Sequence, residues 1–322
     1  MTYVRLVTRR NLGPREFLLA TPFVPQSEPH DRTQAAAGDE MKYGLAGRVL
    51  VRKARRVAFP VLMVYLMVLL AMSFIETWLV YRVPPRQRGD WNPTYLEHEN
   101  VWFQSDDGTR LFGWLVPHPQ PRFAVVYCHG NAEHVADNAD LMAILRSELQ
   151  ASVFIFDYRG YGRSEGRPYE TGLVADTKAA QRWLARRMKI EPHQVVVMGR
   201  SLGGAVAVAS AADLGARALV IESTFSRMTD TAQHLYPWLP VHLLMRNRYD
   251  SVARIARYTG PLFQSHGTND TFIPIVLARE LFDSTPSNSK EFEELRGYGH
   301  NNLPPRDYYA KIVDFLARHA DE

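Results

Sequence analysis

Cysteine is all but missing: the single Cys128 excludes an intrachain disulfide and any cysteine-based zinc site. Also missing are the HExxH of a zinc peptidase and the phosphate-binding loop that ends in Gly-Lys-Ser/Thr. A dinucleotide fingerprint fails by one residue, because Gly160 and Gly162 are followed by Glu165 where the third glycine is needed. Basic excess is missing from most of the chain. Of 38 Lys+Arg and 34 Asp+Glu, 12 and 6 fall at or before Arg82, which leaves 26 basic against 28 acidic residues beyond it. The net charge of +4 therefore belongs to the N-terminal segment, and nothing in the larger part suggests a nucleic-acid surface. Internal repeats and low-complexity runs are lacking as well.

What is present begins with a long apolar run. Residues 57–75, VAFPVLMVYLMVLLAMSFI, hold no charge, and about 20 such residues in a helix cross a hydrocarbon core. Arg48, Arg52, Lys53, Arg55 and Arg56 precede the run and Glu76 follows it, which by the positive-inside bias puts the N-terminus in the cytoplasm and the larger part outside. Trp78 and Tyr81 are suitable interface anchors. A buried core helix is a rival reading, but a soluble helix usually shows a polar face. A cleaved signal peptide is another, with Ala71, Met72 and Ser73 as the processing site, although the run exceeds the usual signal core and continues past it. The resulting division is a basic, partly disordered cytoplasmic segment at 1–56, a signal anchor at 57–81, a linker at 82–98 and a folded domain at 99–322. The first 40 residues, with four prolines and no sustained period, are expected to lack a core of their own, and Met41 is an alternative start.

From residue 99 two β-rich runs flank Asp107-Gly108, a hairpin signal. Short strand-like runs then alternate with helix-length stretches: RFAVVYC, SVFIFDY, QVVVMG, ALVIEST, PLFQSHG and KEFEEL. This pattern predicts a mostly parallel central sheet with helices on both faces. The stretch at about 224–258 is twice as long as the other connections and carries Phe225, Tyr236 and Trp238 among polar residues. It reads as a cap insertion whose aromatics bind substrate, the plainer alternative being an ordinary packed helix.

Two pentapeptides fit the G-x-S-x-G pattern of serine hydrolases, GRSEG at 162–166 and GRSLG at 199–203. A reactive serine of this kind needs a buried strand running into a tight turn and then a helix. Ser201 has both, QVVVM before it and the small-residue AVAVASAA after it. Ser164 sits between DYRGYG and GRPYE and reads as a loop residue. A base and an acid should follow in the chain on later strand ends. His300 in RGYGHNN follows the last strand-like run, and Asp270 in SHGTND follows the one before it. Glu222 and Asp250 are weaker acid candidates, and His266 and His129 read as structural. The backbone N–H groups of Leu202 and of Asn131, with Ala132 as alternative to the latter, are placed to form an oxyanion hole.

Together HGN at 129–131, DYRGYGRSEGRPYE from Asp157, GRSLGG from Gly199, ESTF from Glu222, HGTNDTFIP from His266 and GYGHN from Gly297 resemble the α/β-hydrolase superfamily. The likeness is strongest to membrane-anchored α/β-hydrolase-domain serine hydrolases with a serine-aminopeptidase-like domain. The resemblance runs from about Glu99 to the end and implies an α/β-hydrolase fold preceded by one transmembrane helix. It implies Ser201 as nucleophile, Asp270 as acid and His300 as base, and acyl transfer by such a set requires no metal or organic cofactor. The expected activity is hydrolysis of acyl esters or thioesters through a covalent acyl-enzyme, on small-molecule or lipid-like substrates or acylated proteins. A serine peptidase of aminopeptidase type, or a membrane-anchored interaction protein without turnover, are the alternatives.

Overall fold

The computed structural model describes residues 32–305 and 307–319. The first 31 residues, most of the stretch expected to lack a core, lie outside the described residues. Two compact units are distinguished, 1–63 and 64–322. What is described of the first is the leading part of a helix, α1 (Arg32–Val80), which extends the apolar run at its N-terminal side. One helical stretch, Leu50–Val80, is long and apolar enough to cross a membrane.

The second unit is built on one eight-stranded sheet. The strands are β1 (Glu99–Gln104), β2 (Arg110–Val116), β3 (Phe123–Cys128), β4 (Ala151–Phe156), β5 (Val196–Arg200), β6 (Ala218–Glu222), β7 (Leu262–Gly267) and β8 (Lys290–Leu295). Their spatial order is β1-β2-β4-β3-β5-β6-β7-β8. Only β2 runs against its neighbours β1 and β4, and all other pairs are parallel. Every residue of β3, β4 and β7 is buried, as parallel strands covered on both faces require, and this explains why they read as unbroken apolar runs. The outermost strand β8 carries Lys290, Glu291, Glu293 and Glu294, charges that discourage edge-to-edge pairing with another chain.

Helices close both faces. On one side α3 (Glu170–Met188) and α4 (Leu202–Leu214) pack with Leu173, Leu184, Val206 and Val208 against β3 and β5. On the other, α2 (Ala139–Glu148) and α8 (Tyr308–His319) bury Met142, Leu145, Ile312 and Phe315. The run at 224–258 divides into α5 (Met228–Leu235), α6 (Val241–Leu244) and α7 (Ser251–Ile255). Of these, α7 joins the body of the fold, with Ile255 in the main core, while α5 and α6 form the cap. The chain leaves β3 toward β4 on one side and returns to lay β5 on the other. The crevice beyond the C-terminal ends of β3 and β5 is therefore the switch point at which open α/β sheets bind ligands.

Candidate active site

Ser201 stands at the end of β5, where the chain turns directly into α4. Its backbone has φ 54° and ψ −119°, a left-handed conformation that costs a non-glycine residue about 1–3 kcal/mol. Neighbouring bonds hold it there: Ser201 N–H donates to the Glu222 carbonyl at 2.9 Å, and its own carbonyl accepts from Thr224 Oγ1 at 2.8 Å. Glycine is required around it by close approach. A Cβ on Gly199 would lie 2.3 Å from the Gly203 carbonyl oxygen, and one on Gly203 would lie 2.0 Å from the Cys128 carbonyl oxygen. The G-x-S-x-G spacing thus lets helix and sheet meet at a backbone-to-backbone distance that no side chain permits.

His300 Nε2 lies 3.2 Å from Ser201 Oγ, and His300 Nδ1 lies 2.7 Å from Asp270 Oδ2. Asp270 follows β7, and its Oδ1 accepts the N–H groups of Phe272 and Ile273 at 2.9 and 2.8 Å. Burial pushes this carboxyl upward, but His266, His300 and the Ile273 amide outweigh burial and hold it well below the usual carboxylate range. As an anion it accepts from Nδ1–H of His300, which leaves the Nε2 lone pair facing the serine hydroxyl. Such a line can take a proton from Oγ and hold the resulting imidazolium next to a fixed negative charge. The three residues that sequence pattern singled out, from strand ends 99 residues apart at the extremes, meet at one sheet edge.

The other candidates fall elsewhere. The Ser164 hydroxyl is buried, accepts from Phe112 N–H at 2.9 Å and donates to the Asp157 carbonyl at 2.6 Å, so its bonding is satisfied within the loop. Beside it, Arg159 forks onto buried Asp176 and reaches Asp107 and Tyr169, which explains the polar DYRGYGRSEG as a structural knot. Glu222 faces Arg200 at 3.4 Å, and burial raises its carboxyl. Asp250 caps α7 through Ala253 N–H and faces Arg227. His266 donates to the Ile273 carbonyl at 2.8 Å and supports the Asp270 loop. Buried His129 bonds the Gly130 carbonyl at 2.8 Å, and burial lowers its ring to about 4.

A cavity of about 320 Å3 opens over Ser201. Leu202 and Asn131 border it with the serine, and neither backbone N–H has a partner within the described chain. Phe225 and Tyr236 line it too, but Trp238 does not and is 57% exposed. An aromatic residue in a cap carries no sequence mark of the face it takes.

Sequence reasoning missed the opposite wall. Met72, Glu76, Leu79 and Val80 of α1, with Arg82 after it, line the same cavity. Glu76 Oε1 accepts N–H of Arg246 and of Asn247 and the Asn247 side-chain amide, at 2.8, 2.9 and 3.1 Å. Tyr81 Oη donates to Asn247 Oδ1 at 2.8 Å. Asn131 is tied to the same helix end, since its Nδ2 donates to the Val80 carbonyl at 2.6 Å and its Oδ1 accepts Arg82 N–H at 3.0 Å. The signal available was Glu76, a carboxylate directly after an apolar run, which must find partners wherever it is buried.

The family model described as serine aminopeptidase S33 matches residues 119–249, from the approach to β3 through the cap. The chain is 31% identical over 302 residues to the α/β hydrolase domain-containing protein WAV2 of Arabidopsis thaliana, covering 87% of this chain and 94% of that one. The chain belongs to the α/β-hydrolase-domain-containing proteins. The chain is also 38% identical over 205 residues to the uncharacterized protein Rv2307c of Mycobacterium tuberculosis, covering 63% of this chain and 72% of that one. Among solved structures, the Pyrococcus furiosus esterase Pf2001 shares the fold, with a TM-score of 0.61, 21% identity and coverage of 74% and 99%. Membership makes the protein a hydrolase of α/β type with a mostly parallel sheet.

Proposed function

We propose that this α/β hydrolase is a membrane-anchored serine esterase or thioesterase that works through a Ser201-His300-Asp270 triad. The observation that carries the reading is the continuous line from Asp270 through His300 to a strained Ser201 whose hydroxyl faces an open cavity. Ser201 Oγ attacks the carbonyl carbon as its proton passes to His300 Nε2. The oxyanion is held by the N–H groups of Leu202 and Asn131, the first of which also begins helix α4 and so adds its dipole. His300 then gives the proton to the departing alcohol or thiol, leaving an acyl group on Ser201, and water repeats the sequence to release the acid. Asp270 keeps the imidazole in the tautomer that both steps need.

Acyl substrates are favoured by the cavity, whose lining is mainly aliphatic and aromatic: Leu79, Phe225, Leu235, Leu239, Val241 and Leu244 among others. Its sole carboxylate, Glu76, already accepts three donors from the cap and is poorly placed to receive a peptide's amino terminus. The basic residues before the apolar helix support a cytoplasmic N-terminus and a catalytic domain on the outer side. Phe225 and Tyr236 contact the acyl portion.

The test compares 4-nitrophenyl esters of increasing chain length with aminoacyl 4-nitroanilides on the full chain in detergent. Medium or long esters are expected to turn over fastest. Faster turnover of the anilides would move the assignment to a peptidase, and turnover of neither by folded protein would leave only an interaction protein.

A further inference from the structure

The cap reaches unexpectedly far along α1. Trp238 accepts at its carbonyl a hydrogen bond of 3.2 Å from the hydroxyl of Tyr65, while Glu76 and Ser73 meet Arg246 at the cap's other end. Between Tyr65 and Glu76 a helix rises about 16 Å at 1.5 Å per residue. Tyr65 lies in the middle of the uncharged run 57–75, so the cap lies beside the half of that run nearer the catalytic domain. A membrane crossing needs about 20 apolar residues, and the run cannot spare its second half and still span.

The cap segment that reaches this level has a matching composition. LYPWLPVHLL at 235–244 holds no Asp, Glu, Lys or Arg in a chain that is 22% charged. Leu243 is 83% exposed and Trp238 57%, both outside the cavity lining, and on the neighbouring helix Phe74 and Trp78 are exposed as well. Most of the backbone is suited to an apolar medium, where an unpaired N–H is costly. The N–H groups of Tyr236, Leu239, Val241, Leu243 and Leu244 are bonded within the segment or to Ala232, Pro237 and Pro240 have none to satisfy, and those of Trp238 and His242 remain. Arg246 and Arg248, both exposed, and Arg82 follow at the level of Glu76 and beyond, as a cationic collar at lipid phosphates would.

Resting on the membrane-anchored reading above, we infer that the cap segment 235–244 is immersed in the acyl-chain region of the leaflet next to the catalytic domain. Its occupant is the bilayer itself. Depth and chemistry agree, since about 16 Å from the arginine collar to Trp238 is close to half of a hydrocarbon core of roughly 30 Å. The cavity over Ser201, walled by α1 and the cap, then stands against the bilayer, and a substrate reaches it from the lipid phase.

Site-directed spin labelling tests this on the full chain, because the one native cysteine, Cys128, is buried. Leu243→Cys, Met67→Cys and Glu191→Cys are labelled separately in phosphatidylcholine nanodiscs and probed with oxygen and a water-soluble nickel chelate. Met67 is an exposed position on α1, and Glu191 precedes β5 at the sheet end away from Ser201. Leu243 and Met67 labels are expected to relax with oxygen and not with nickel, and the Glu191 label with nickel. A Leu243 label open to nickel while Met67 stays lipid-exposed overturns immersion and leaves the anchor standing. If Met67 is open to nickel too, the membrane reading falls with it. A Leu243 label closed to both reagents means that protein, such as a second copy, covers the segment, and this also overturns the inference.

Discussion

Glu76 offers the sharpest handle on how the catalytic domain uses the end of its apolar helix. One carboxylate oxygen serves three donors, Arg246 N–H, Asn247 N–H and Asn247 Nδ2. Asn247 in turn accepts from Tyr81 Oη and from Glu170 N–H at 2.9 Å, so a single acidic side chain organises the return of the cap to the body. Glu76→Ala strands three buried or half-buried donors, at about 1–2 kcal/mol each, for a local loss of about 3–6 kcal/mol. Glu76→Gln keeps an oxygen acceptor and is expected to lose much less. The readout is limited trypsin digestion, because Arg246 and Arg248 lie within the stretch that is released. Where cleavage follows the population of the open form, 3 kcal/mol corresponds to roughly a hundredfold faster nicking at these two arginines, with the rest of the domain cleaved at its usual rate. Turnover of long-chain esters should fall in step, while Glu76→Gln stays near the wild type in both. If Glu76→Ala is cut no faster than the wild type, the cap is held by something else, and the account of how helix, cap and cavity are joined is wrong.

Further outcomes are expected elsewhere. Ser164→Ala removes a buried hydroxyl with one accepted and one donated bond, and should lower stability in urea unfolding by about 1–3 kcal/mol while leaving turnover per folded molecule intact. Gly203→Ala drives a Cβ into the Cys128 carbonyl and, by overpacking alone, should cost about 3 kcal/mol or more, read as a lowered Tm or loss of folded protein. Buried His129 resists protonation down to about 4, whereas in the unfolded chain it gains its proton near 6.5, so the unfolded state binds more protons between these values. Its contribution to stability is full above 6.5 and falls as pH drops toward 4, by about 3 kcal/mol at most. The stability gap between wild type and His129→Gln should therefore narrow across that window in urea titrations at stepped pH; a gap constant with pH would mean that burial does not hold the ring neutral.

Much of this was legible because its physics is local. Parallel strands buried on both faces must be apolar throughout, which is why the runs that became β3 to β7 stand out, while the charged run KEFEEL became the edge strand β8. The choice of Ser201 over Ser164 was readable too, since a tight strand-to-helix junction needs glycines and small helix residues, and the loop at Ser164 has neither a strand before it nor a helix directly after. What was hidden depends on distant contacts. Nothing in HGN announces that the Asn131 side chain will grip Val80 and Arg82, 51 and 49 residues earlier. Met72 and Leu79 have the same composition whether they face lipid or an acyl cavity, so a helix read only as an anchor conceals its second role. Trp238 shows the same ambiguity in reverse, an aromatic assigned to the cavity that does not line it.

The central claim is that Ser201 is the nucleophile, and covalent labelling of the full chain by a fluorophosphonate probe tests it most directly. The expected result is one labelled serine, with labelling abolished in Ser201→Ala, strongly slowed in His300→Ala and retained in Ser164→Ala. Undiminished labelling of a folded Ser201→Ala protein would contradict it.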